Sequence, residues 1–156
     1  MGEPTHELVN PEGLVAPRGY SHAVVAGPGR TVHVAGQVAS DPSGEIIGAT
    51  LAEQLDMALG NVAVVLAAAG AGPEHVVSLV IYTTAVDEYR ATLPEVGAAY
   101  RRHFGRYYPA MALLGVTELV DPRAMVEIVA TAVVPPLLAE PAVEARGERD
   151  HPPPVR

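Results

Sequence analysis

Cysteine, lysine and tryptophan are absent from this chain, and phenylalanine occurs once, at Phe104. Without cysteine there is no disulfide, no thiolate metal site and no thiol nucleophile. With no lysine, the ten basic residues are arginines scattered along 156 positions, and the formal charge is −8. A nucleic-acid partner held through its phosphates would meet repulsion rather than a basic patch. No apolar run nears the roughly 20 residues of a membrane span. The start, MGEPTHELVNPEG, has neither the basic residues nor the apolar core of a secretion signal. The expectation is a cytoplasmic protein with no nucleic-acid or membrane partner.

What is present is a chain of single-domain length that is 49% hydrophobic, much of it Ala and Val. Small side chains pack a sheet closely but leave a lone subunit little bulk to bury, which favours an oligomer.

Residues 1–18 carry Pro4, Pro11 and Pro17 and read as an N-terminal arm with at most a short strand near Leu14-Val15. Tyr20–Ala26 and Arg30–Gln37 are β-rich runs around Gly27-Pro28-Gly29, which predicts a hairpin. Thr50 and Glu53 make a capping box for a helix whose apolar stripe is Leu51, Leu55, Leu59, Val62, Leu66 and Ala69, ended by Gly70, Gly72 and Pro73. Val76–Thr84 is β-branched and reads as a buried strand. A second helix follows, capped by Asp87, started or kinked at Pro94, apolar at Val96, Tyr100, His103 and Phe104, and stopped by Gly105. Two more strands, Ala110–Val116 and Met125–Val134, flank a turn at Asp121-Pro122. From residue 136 the chain is rich in Pro, Glu and Arg, a flexible tail to 156 behind a domain over 19–135. Strands separated by helices give an α+β or α/β layer with the helices on one sheet face. One face of its sheet is left apolar, with no third layer in the chain to cover it, so another subunit is the simplest cover.

One charge stands in the last strand: Glu127, among Met125, Val126, Ile128 and Val129. It either faces water, paired with an arginine, or sits in a cleft as a general acid/base. Tyr20 either packs locally or walls a cleft; Gly36 either meets a backbone requirement or admits a ligand to the main chain. Met111 is a core or cleft-wall residue. The six histidines show no metal-ligand spacing. There is no Gly-x-Ser-x-Gly turn for a serine hydrolase, and Gly27-Pro28-Gly29 is too short for a phosphate loop.

The order and spacing of several short motifs resemble the RidA/YjgF family over about residues 19–134. They are Gly19-Tyr20-Ser21-His22-Ala23, Val34-Ala35-Gly36-Gln37, Asp41-Pro42 with Gly44-Glu45-Ile46 and Gly48, Glu53-Gln54, Asn61-Val62, Ala67-Ala68-Ala69-Gly70, Pro109-Ala110 and Val126-Glu127-Ile128. The resemblance implies a chorismate-mutase-like fold, a mixed six-stranded sheet with two helices on one face, in a homotrimer with clefts between subunits. It also implies hydrolysis or tautomerisation of a small imine, enamine or related carbonyl compound without metal or organic cofactor. A glutamate on the last strand would position water, here Glu127, with Tyr20 and Gly36 as further cleft residues. The arginine that grips the substrate carboxylate falls on Met111, and a thioether cannot replace a guanidinium there. Arg18, Arg106 or Arg123 could substitute. The alternative is a trimer that binds a small ligand without turnover. Ribonuclease activity, also ascribed to the family, fits poorly with an acidic chain.

Overall fold

The computed structural model describes residues 5–136; the expected tail from residue 137 onward lies outside them. Six strands and three helices follow in chain order: β1 (Glu7–Val9), β2 (Ala23–Val25), β3 (Arg30–Gln37), α1 (Leu51–Ala68), β4 (Val76–Thr83), α2 (Val86–Ala91), α3 (Leu93–Phe104), β5 (Ala110–Gly115) and β6 (Val126–Val134). The main sheet has four strands in the order β3-β6-β4-β5, antiparallel except for the parallel β4–β5 pair, while β1 and β2 form a separate antiparallel pair.

This corrects the single six-stranded sheet and the hairpin around Gly27-Pro28-Gly29. Pro28 has a fixed φ and no N–H, so the link cannot form a tight two-residue turn. Gly29 sits hard against the backbone of Val134, where Arg30 begins to pair with β6. β2 instead finds its partner in β1, drawn from the N-terminal arm. That arm is tied down by His6, buried, with Nε2 at 2.9 Å from the Val133 carbonyl oxygen. Its strand lies at Glu7–Val9, whereas Leu14 and Val15 are exposed.

α1 has the expected capping box: Thr50 Oγ1 accepts from the Glu53 N–H, and the Glu53 carboxylate accepts from the Thr50 and Ala49 N–H groups. Leu51, Leu55, Leu59, Val62 and Leu66 are buried along one stripe. They pack on Leu79, Ile81, Val126, Ile128, Ala130 and Ala132, the helix-facing residues of β4 and β6. The second helical region is two helices rather than one. Pro94 cannot donate to the turn before it, so α2 ends at Ala91 and α3 begins at Leu93 with proline in its first turn. Gly105 ends α3 at φ +59°, a left-handed conformation open to glycine.

Tyr100 and Phe104 are buried on the inner side of α3. The Tyr100 ring stacks on Phe104 and on Tyr108 at centroid distances of 5.1 and 5.2 Å. β5 follows β4 in parallel and β6 follows antiparallel on the other side, so the two late strands are consecutive in the chain but do not pair.

Strand alternation divides the sheet into two faces. Leu79, Ile81, Met111, Leu113, Ile128 and Ala130 point to the helices. The opposite face carries Val80, Val129 and Leu114 together with Tyr82 and Glu127, and Val129 and Leu114 are 36% and 45% exposed.

Candidate functional site

Two clusters contain the residues singled out in the sequence. The first is on the open sheet face. Between Val34 and Gln37 the β3–β6 register shifts: three steps along β3 match two along β6, from Ala130 to Ile128. The extra residue makes a bulge, a device that re-aims side chains next to a strand edge. Gly36 lies in the bulge, and a Cβ built on it would overlap the Glu127 carboxylate, with the carboxyl carbon at 2.8 Å. Glycine at 36 is therefore what allows the Glu127 side chain to lie over the β3 backbone. Glu127 is half-buried, pairs across the sheet with Tyr82, and has no hydrogen-bond partner among the described residues. It forms no ion pair with an arginine among the described residues, which leaves its oxygens free for water or a ligand.

The second cluster is on the helix face at the β5 edge. A cavity of about 350 Å³ lies between α3, β5 and the segment before β2, with Tyr20 and Met111 in its walls. Tyr20 is brought there by its neighbour. The Ser21 N–H donates to the Pro109 carbonyl at 2.9 Å, and the Ser21 hydroxyl donates to the Tyr108 carbonyl at 2.7 Å, which lays the segment along the start of β5. Met111 is opposite Leu79 in the register and packs against the core from the same face as Leu113. Its walls also include Leu93, Val96 and Leu113, with Tyr100, whose hydroxyl burial pushes well above its ordinary pKa.

Tyr20 and Met111 thus share one cavity and Gly36 and Glu127 meet at one bulge, but within the chain the sheet lies between the two pairs.

The three candidate replacement cations are also separated. Arg123 is committed: it donates to both Asp121 oxygens at 3.1 and 2.8 Å and to Glu45 at 2.7 Å. That pairing raises its own pKa and holds the Asp121 carboxyl below the usual range. Arg106 is exposed and lines none of this cavity, whereas Arg18 does.

Sequence reasoning missed Arg101, which also lines it, and missed the support given by Gln54. Gln54 is 1% exposed on α1. It donates to the carbonyls of Gly48 and Arg123 at 3.2 and 3.0 Å and accepts from the Met125 N–H at 2.8 Å, holding the chain two residues before Glu127. Its signal was a polar residue inside the apolar stripe of a helix. Asn61, one step off that stripe, donates to Val38 and Ser40 at 3.0 Å each and fixes the loop leaving β3.

The fold is that of a small α+β protein, with the Glu127 carboxylate lying against the β3 bulge and a cavity behind the sheet edge. The family model described as Endoribonuclease L-PSP matches residues 12–134. The human 2-iminobutanoate/2-iminopropanoate deaminase is 32% identical over 80% of this chain and 85% of that protein. A RutC family protein from Pyrococcus horikoshii is 31% identical over 81% and 96%. Among solved structures, a protein of unknown function of the conserved Rid family from Yersinia pestis superposes with a TM-score of 0.75 at 36% identity, covering 83% of this chain and 99% of that one. The chain belongs to the RidA/YjgF family.

Proposed function

We propose that this protein is a cofactor-free enzyme of the RidA type that hydrolyses or tautomerises a small imine, enamine or related carbonyl compound, with Glu127 as its acid/base. Hydrolysis needs only water and a carrier of protons. Water attacks the imine carbon while Glu127 takes its proton; the nitrogen is then protonated and leaves as ammonia as the carbonyl forms. The observation that carries the reading is the Gly36–Glu127 arrangement, a carboxylate laid over a glycine in a strand bulge and left without a protein partner. Deaminases at 32–34% identity support it.

The reacting cleft lies between subunits of a homotrimer. Two features favour this: Tyr20 and Met111 are on one face of the sheet and Glu127 on the other, and the open face displays Val80, Val129 and Leu114. A second copy whose β5 edge met that face would bring the two clusters together.

Met111 favours the second reading, a trimer that binds a small ligand without turnover, because the family's route to 2-imino acids uses a cation at that position.

The test is ammonia release from 2-iminopropanoate and 2-iminobutanoate generated in place by an amino-acid oxidase. Activity that falls by about 100-fold or more in Glu127→Gln, the scale of a positioned acid/base, supports the enzyme. Wild-type rates no better than buffer on every imine tried would reject it in favour of the binding protein.

A further inference from the structure

The cavity behind Met111 carries two cations that the family comparison does not assign. Arg101 lies on α3 one turn after Gly97, and its guanidinium folds back over that glycine: a Cβ at 97 would sit 3.0 Å from Nη1 and 3.8 Å from Cζ. Both residues line the cavity, as does Arg18 from the segment before Tyr20. Glycine inside a helix is unfavourable for backbone entropy, and here it clears the space in which the guanidinium rests against the cavity wall. Arg90, Arg102 and Arg123 are each paired with a carboxylate, whereas Arg18 and Arg101 have no such partner among the described residues. The inner wall is apolar at Met111, Leu113, Leu93 and Val96, and Arg18 and Arg101 are the charged side chains among the cavity's described lining.

We propose that this cavity binds a small carboxylic acid in the reverse sense to one anchored at position 111, with the apolar side chain directed to Met111 and the carboxylate at the mouth, gripped by Arg101 and Arg18. A guanidinium accepts a carboxylate in paired, charge-assisted hydrogen bonds. The substrate class is then a 2-imino or 2-oxo acid with a branched or aromatic side chain, preferred over one ending in methyl. This rests on the proposed function for the reacting group, but binding itself does not need turnover.

The full-length protein is titrated calorimetrically with the 2-oxo acid of leucine, with its neutral amide, and with pyruvate. The leucine-derived acid binds on the order of tenfold tighter than pyruvate, as its added buried carbons require. Arg101→Gln weakens it on the order of tenfold, Arg101→Lys recovers part of the loss, and Arg18→Gln adds to it. Binding of the amide is unmoved by Arg101→Gln, and the exposed Arg90→Gln changes nothing. Gly97→Ala keeps every charge yet displaces the guanidinium, and weakens the acid. Pyruvate binding as tightly as the leucine-derived acid, indifference to Arg101→Gln, or no binding of any oxo acid at millimolar concentration would each overturn the proposal. Binding that follows this pattern without ammonia release leaves the cavity assignment standing and removes the enzyme. Turnover of 2-iminopropanoate indifferent to Arg101→Gln does the reverse.

Discussion

Gly36 and Glu127 depend on one another in a way that neither residue type announces. Gly36 is not at positive φ, so alanine is permitted by its backbone; the obstacle is the carboxylate lying where the methyl would go. Because the atoms in conflict are the far end of a flexible side chain, Gly36→Ala keeps the fold and moves Glu127. Its unfolding free energy stays within about 1 kcal/mol of wild type in urea titrations, while imine hydrolysis drops by about 100-fold. Full activity in this variant would mean that the carboxylate works from some other position. Tyr20 is held by the bonds of Ser21 rather than its own, and Met111 packs against the core while also lining the cavity.

At the scale of the element, α3 is the wall of the cavity, and its C-terminal end is pinned by two phenols. Tyr100 donates to the Tyr107 carbonyl and Tyr107 donates to the Val76 carbonyl, both at 2.7 Å. Burial, and to a lesser degree the nearby Glu74 carboxylate, pushes the Tyr107 hydroxyl up to about 12 from 10.0. A phenol raised in the fold contributes stability that is whole below its unfolded pKa and is lost as pH rises through the folded one. Urea midpoints are therefore level up to about pH 9 and fall between about pH 10 and 12, and Tyr107→Phe, which cannot ionise, falls less over that window. Midpoints unchanged to about pH 12 would show that these hydroxyls are not buried donors. The Asp56 carboxylate joins α1 to α3 through Arg102 and through His103 Nε2 at 2.9 Å, so these bonds too hold the C-terminal end of the helix.

For the whole molecule, the question is what covers the open sheet face. Val129 lies at its centre, 36% exposed in the single chain. In a trimer joined through that face, Val129→Glu places a charge in an apolar contact, which is costly unless it is paired. Sedimentation of the wild type at three times the chain mass, and of Val129→Glu at one, is the expected result; a wild-type monomer would remove the intersubunit cleft.

The elements with strong local signals were legible in the chain: α1 by its capping box and stripe, β4 by its β-branched run, β6 by apolar residues around one charge, and the α3 stop at Gly105. Glu127 stood out for the same reason, since a charge in an apolar strand must find a partner or a task. Contacts between distant segments were not legible, because no local preference encodes them. β2 pairs with β1 rather than β3, Gln54 and Asn61 bridge α1 to loops far along the chain, and Arg101 folds back over Gly97 at the cavity. The amino-acid order determined periodicity, caps and breaks, which act over a few residues of backbone. Folding in three dimensions decided which face each strand presents, and so why Met111 and Glu127 look away from each other, because register is settled by pairing across the sheet.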